Sequence, residues 1–402
     1  MSAMCENNRK RSFFVAVWYL LLFQNPLTMY VWSGFSYVDE LFALMGIFPL
    51  LCFPRRTLRK STLQIALALV GFVTCGLVAN LYFQYQPAGL VMKDLYTNLK
   101  FFLAVAAGYE LFRYARPEKE LVLRHTKCCV ALLFVLLVAD CCVGLFPNGG
   151  LRYGMTVRYL IFGHATYLAA ACVFLLAVLM MHYDHRNRWY VAMGLLVLAS
   201  TLRGKALAAA AVFVGILWRI LLQKKRPGVH HFLLAGAAGL CIAWNQVSFY
   251  YVELAGESAR SVLLLTALRI MKDYFPFGTG FGTYGSDVAR EFYSPVYVRY
   301  GFLRLYELQR DSDFFSDTFW PIIMGQTGIA GMICYVAALG RLFAKALRVR
   351  FTDRNAYGAV LFVLSYLLIS STSEPTFCNS VSIPLAMVLG GTIFACSGGE
   401  GI

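Results

Sequence analysis

Charge is what this chain has least of. Asp, Glu, Lys and Arg make up 14% of its 402 residues, against 59% hydrophobic, and that much apolar surface cannot be buried in one soluble core. A water-soluble globular protein is excluded. Acids are scarcer than bases, 21 against 36, but the net charge of +15 is no nucleic-acid footprint, because it gathers in short clusters between apolar runs. Ser12 to Trp32 follows Arg9, Lys10 and Arg11 as a signal peptide would. It lacks a small-residue cleavage site and is too long, so it reads as a retained first span. The 12 cysteines, among them Cys128, Cys129, Cys141 and Cys142, lack metal-ligand spacing and a disulfide framework and read as small packing residues. Two similar halves with paired broken helices are also missing, which weighs against a transporter of lipid-linked sugars, the reading from another class.

What is present is a recurrence of apolar runs of about 20 residues, the length a bilayer core demands of a spanning helix. About twelve spans follow from these runs, at 12–32, 37–53, 61–83, 95–112, 121–145, 160–182, 188–202, 205–223, 228–250, 318–343, 356–373 and 380–397. The basic clusters test this threading. Arg55, Arg56, Arg59 and Lys60; Arg113, Arg116 and Lys119; Arg186 and Arg188; Lys224, Lys225 and Arg226; and Lys345, Arg348, Arg350 and Arg354 all fall on the side of the basic N-terminus, as cytoplasmic loops should. The expected fold is all-α and polytopic. Spans fill 1–251, one long extracytoplasmic loop occupies 252–317, and further spans fill 318–402.

Glu40, Lys100, Asp140, Arg203 and Lys205 map to the outer halves of spans, where an unpaired charge costs a few kcal/mol. They point to a polar, water-accessible cavity opening outward; the alternative is a set of interhelical ion pairs that lock packing.

Three stretches carry the chemistry. In the long loop, ESARSVLLLTALRIMKDYFPFGTGFGTYG sets Arg260, Arg269 and Lys272 around a helical apolar stretch ended by Phe275, Pro276 and Gly278, the pattern of an amphipathic helix on the outer surface. Gly280 to Gly285 satisfies the dinucleotide pattern G-x-G-x-x-G, but no strand precedes it and no βαβ unit follows, so the match is discarded. These glycines suit a tight turn whose amides could meet an oxyanion. The second stretch, TLRGKAL from Thr201 to Leu207, places two cations on the outer face against the orientation bias, and an anionic partner explains them, lipid headgroups being the plainest one. The third holds Glu307, Arg310, Asp311, Asp313 and Asp317 ahead of Thr318-Phe319-Trp320-Pro321. Asp317 is placed either to cap the following helix or to take a proton from a sugar hydroxyl.

In this order the stretches resemble the O-antigen polymerase and O-antigen ligase superfamily, membrane glycosyltransferases of the GT-C class that act on undecaprenyl-diphosphate-linked glycans. The likeness covers most of the chain in topology and specific residues in three places. Thr201-Leu202-Arg203-Gly204 is similar to the family's small-residue/Arg/Gly hairpin. Arg260 with Gly278 and Gly280 is similar to its loop arginine and following G-x-G. Asp317, eleven residues before Gly328 of a Gly-x-x-Gly step ending at Gly331, stands where ligases often have His, a departure that favours the polymerase branch.

The resemblance implies an enzyme of the bacterial cytoplasmic membrane that builds surface polysaccharide on the outer face. Its partners would be a lipid-diphosphate-linked donor, a lipid-linked acceptor, the membrane lipid itself and a chain-length regulator, with no nucleic acid. Arg203 and Arg260 would stabilise the leaving diphosphate, with Arg269 and Lys205 in reserve. Asp317 would orient or deprotonate the acceptor hydroxyl, with Asp313 or Asp311 as substitutes, and Lys100 would contribute to substrate binding. Neither metal nor cofactor is called for. A ligase that moves finished glycan to a lipid core is the nearest alternative.

Overall fold

The computed structural model describes residues 2–48, 60–228, 248, 258–304, 308–309, 315, 318–349 and 353–397. The molecule is mostly helical, as lipid requires of a backbone that must satisfy its own hydrogen bonds. By length and composition, four helices can cross a membrane: Lys60–Phe83, Lys119–Val143, Gly204–Leu222 and Trp320–Ala346. The pair Glu6–Leu22 and Gln24–Tyr30, bent by 71°, makes a fifth if it is one broken span. Several long apolar helices of this kind mark a multi-pass membrane protein. Helices also occupy other segments drawn from the sequence, among them Val38–Met45, Ala88–Ala115, Ala165–Met181, Arg188–Ser200, Arg354–Ser371 and Ile383–Cys396, which fall outside that count. Most of the span drawn at 228–250 lies outside the described residues, as do Arg55, Arg56, Arg59 and Arg350 of the basic clusters.

The expectation of an all-α chain is corrected in one place. Asn148–Arg152 and Met155–Arg158 form an antiparallel hairpin in which Leu151 pairs with Thr156. Its turn residues, Tyr153 and Gly154, both take positive φ, 52° and 74°, the twist that a tight two-residue hairpin needs. The hairpin is tied down by Arg158, which donates to the Asp140 carbonyl at 2.9 Å and forms an ion pair with its carboxylate.

The long loop folds into a small unit of its own. Ser258 caps helix Ala259–Asp273, its hydroxyl accepting from the Ser261 amide. Leu263, Ala267 and Ile270 on that helix are buried with Tyr284, Tyr297, Phe302 and Phe315, against Met324 of helix Trp320–Ala346. Leu265, Leu268 and Arg269 face outward. Tyr274, at the end of the helix, takes a hydrogen bond from Arg299 at 2.6 Å and shares one with Tyr85 at 3.0 Å. Burial, then the Tyr85 hydroxyl, pushes the Tyr274 hydroxyl up to about 12, so it stays protonated at physiological pH.

The glycine segment docks into a broken helix. Gly328, inside Trp320–Ala346, has φ 60° and ψ −162°, a conformation essentially reserved for glycine. The break frees carbonyls that an unbroken helix would satisfy internally, and the segment supplies the missing donors. Thr279 N–H donates to Gly325 O at 3.0 Å and Gly280 N–H to Gln326 O at 2.8 Å, while Ala330 N–H turns to Pro276 O at 3.2 Å. Gly278 must also be glycine: its φ is 75° and a Cβ there would lie 2.5 Å from the Gly328 nitrogen.

Polar contacts between distant segments sort by the side on which the threading places them. Arg11 with Glu118, Lys345 with Thr62 at 2.8 Å, and Asn355 with the Tyr183 carbonyl at 2.9 Å join segments drawn as cytoplasmic. Gln86 with the Gly282 carbonyl at 3.0 Å and Lys93 with Glu291 at 3.1 Å join segments drawn as external, and Arg203 with His164 at 2.7 Å joins one such segment to the outer end of the span drawn at 160–182.

Candidate functional site

Cations sit where helix dipoles disfavour them. The N-terminal end of a helix carries partial positive charge and prefers acids. Arg203 is the N-cap of helix Gly204–Ile216 and Lys205 is its second residue. Arg260 is the second residue of helix Ala259–Asp273, and His164 is the N-cap of Ala165–Met181. None of these helices has an acid in its first turn.

Two of these helix starts meet, and the third, carrying Arg260, lies within electrostatic range of Lys205. A guanidinium N–H of Arg203 donates to His164 Nε2 at 2.7 Å. The other ring nitrogen, Nδ1, accepts from the Thr166 amide at 3.3 Å. A neutral imidazole accepts at one nitrogen only, so these two contacts compete, and the shorter one is that from Arg203. His164 also lies in the field of Lys205, Glu374 and Arg152, the last from the hairpin, and Lys205 lies in the field of Arg203 and Arg260. Arg152, Arg203 and Arg260 are half-buried and His164 is exposed, whereas the Lys205 and Glu374 side chains are each 10% exposed.

Glu374 is the carboxylate that the described residues set among these cations. It pairs with the Lys205 ammonium and accepts from the Ser370 hydroxyl. It belongs to the turn between Arg354–Ser371 and Ser380–Ser382, where its amide donates to Ser370 O at 3.1 Å and its carbonyl accepts from Thr376 N–H at 2.8 Å. The next residue after Ser370, Ser371, accepts from the Trp320 indole N–H at 3.2 Å. The start of helix Trp320–Ala346 therefore reaches the same corner. Asp317, three residues before Trp320, lies outside the described residues, as do Asp311 and Asp313.

Other candidates are placed differently. Lys100 is buried in an ion pair with Asp39 at 2.7 Å, and Gln24 donates to the other Asp39 oxygen at 2.6 Å. That is the packing alternative, with a partner, Asp39, one residue before the Glu40 that the sequence had singled out. Asp140, paired with Arg158 and accepting from the Phe146 amide at 2.9 Å, closes the end of its own helix in the same way. Arg269 points outward from its helix. The glycine amides are not available to an oxyanion. Those of Gly278, Thr279 and Gly280 donate to backbone carbonyls, Phe281 N–H to Asn80 Oδ1 at 2.7 Å, Gly282 N–H to Asp94 Oδ2 at 2.9 Å, and Gly285 N–H to the Tyr297 hydroxyl at 2.8 Å.

Sequence reasoning passed over His164, Arg152 and Glu374. The signal for Glu374 was present: it is an acid in a short connection, STSEPT, between two apolar runs. Compared with protein-family models and with curated proteins, the chain matches none of either.

Proposed function

We propose that the protein polymerises lipid-linked oligosaccharide repeats on the outer face of a bacterial cytoplasmic membrane, as a glycosyltransferase of about twelve spans in the GT-C manner. The growing glycan on undecaprenyl diphosphate is the donor, and the hydroxyl of a new lipid-linked repeat attacks its anomeric carbon. The observation that carries this reading is the contact of Arg203, at one helix N-terminus, with His164 at another, beside a Lys205 that lies in the field of Arg260. Helix dipoles and basic side chains act there in the same direction, which suits a multiply charged anion such as a departing diphosphate. The sorting of polar contacts by side supports the threading that puts this corner outside.

In this mechanism Arg203 and Arg260 take the charge that develops on the leaving diphosphate, through the two-pronged contacts that guanidinium allows. Asp317, ahead of the helix whose Trp320 reaches the same corner, orients the acceptor hydroxyl. Purified protein in proteoliposomes, supplied with lipid-linked repeats alone, is expected to make a ladder of glycan lengths. A requirement for a second, non-repeat acceptor would indicate a ligase. Passage of intact substrate across the bilayer without new glycosidic bonds would indicate a transporter.

A further inference from the structure

Two lysine–carboxylate pairs among the described residues are largely buried, and they are built differently. Lys100 and Asp39 sit on helices Ala88–Ala115 and Val38–Met45, with Gln24 completing the carboxylate. One cation meets one anion, and rigid elements hold both. Lys205 and Glu374 instead join a helix start to a turn, and Lys205 also lies in the fields of Arg203 and Arg260. A packing lock gains nothing from two more cations beside its ammonium.

We propose that Glu374 is the exchangeable counter-ion of Lys205 and, once released, the proton acceptor of the transfer reaction. This rests on the reading of the corner as a lipid-diphosphate site. Without substrate, Glu374 neutralises Lys205 and keeps its ammonium beside Arg203. An arriving diphosphate carries more charge than one carboxylate and engages Lys205 and Arg203 together, so the ammonium passes from Glu374 to phosphate oxygen. Glu374 keeps the Ser370 hydroxyl bond, which holds it in place. A carboxylate that loses a cation and gains a phosphate neighbour binds a proton more readily. The base is thereby activated by donor binding.

The step balances. The acceptor hydroxyl gives its proton to Glu374 while its oxygen forms a bond to the anomeric carbon. The bond from that carbon to diphosphate oxygen breaks, and the electron pair leaves with the diphosphate, held by Arg203 and Lys205. Return of Lys205 to Glu374 expels the proton to water and resets the site.

The test separates binding from turnover with Glu374→Gln, which keeps shape and the Ser370 contact but loses the charge. Full-length protein in nanodiscs is titrated with undecaprenyl diphosphate, and chain extension is measured in proteoliposomes. The variant is expected to bind the lipid diphosphate at least as tightly as the unaltered protein, because a competing anion is gone. Its extension rate at saturating donor should fall about 100-fold, the scale of a lost general base. The double variant Lys205→Gln with Glu374→Gln removes both charges together and serves as the folding control; it should accumulate normally, bind more weakly and extend no faster. Undiminished extension by Glu374→Gln overturns the proposal, and weakened binding by that variant reduces Glu374 to a scaffold. Failure of the unaltered protein to bind undecaprenyl diphosphate overturns the underlying reading instead.

Discussion

The glycine junction and the cation corner both lie on the side that the threading draws as external, and both were marked by short motifs. They are physically opposite. At the junction, the freed carbonyls of Gly325 and Gln326 and the amides of Gly278 to Gly282 find partners within the protein. It is closed, and its glycines serve packing. At the corner, long basic side chains gather at helix starts that would favour acids, and they are held by groups a ligand can replace, an imidazole and a carboxylate on a turn. The difference separates architecture from chemistry where the motifs alone did not. A closed junction fails when its shape changes, whereas an open corner fails when its charge changes.

The sharpest way to break this contrast is to disturb the junction. Gly328→Ala puts a Cβ 2.4 Å from the Pro276 carbonyl oxygen in a backbone conformation closed to alanine. The variant is expected not to accumulate in the membrane, as judged by immunoblot of membrane fractions; normal accumulation with full activity would show that the break is incidental. Arg203→Ala and Arg260→Ala should do the reverse, leaving protein levels intact while chain extension falls about 100-fold or more. Arg203→Lys should not restore it, since ammonium lacks the planar fork. Loss of the protein instead would move both arginines to the architectural side.

A smaller effect is expected at the packing lock. Lys100→Met leaves Asp39 buried without its cation and should cost about 3–5 kcal/mol, read as a lowered midpoint of thermal unfolding. Lys100→Met combined with Asp39→Leu should recover most of that loss, and extension should survive in the double variant. The smallest effect belongs to Arg269→Ala. Its side chain points outward, and extension rate should stay within about twofold.

Much of this division was legible in the sequence, for physical reasons. Apolar runs of bilayer length locate helices, because lipid leaves the backbone no alternative. The pairing of Arg203 with Lys205 on one hairpin was visible as cations against the orientation bias, and Arg260 as one of three cations around a helical apolar stretch. Partners were not. Asp39 and Glu40 differ by one residue, but on a helix that step rotates the side chain by about 100°, and only packing decides which faces Lys100. The glycine motif was read as a turn with spare amides because its acceptors, Asn80, Asp94, Gly325 and Gln326, come from other helices. The hairpin at 148–158 was hidden between two apolar runs. His164 and Glu374 carry no motif, and each becomes visible only beside the cation it meets.

The account depends most directly on whether the corner holds diphosphate. Undecaprenyl diphosphate titrated into the purified protein in nanodiscs, followed by native mass spectrometry, is expected to bind. Its affinity should fall at least about tenfold in Arg203→Ala and in Arg260→Ala and stay unchanged in Arg269→Ala. Equal binding by all four proteins would contradict the assignment of this corner to the lipid diphosphate.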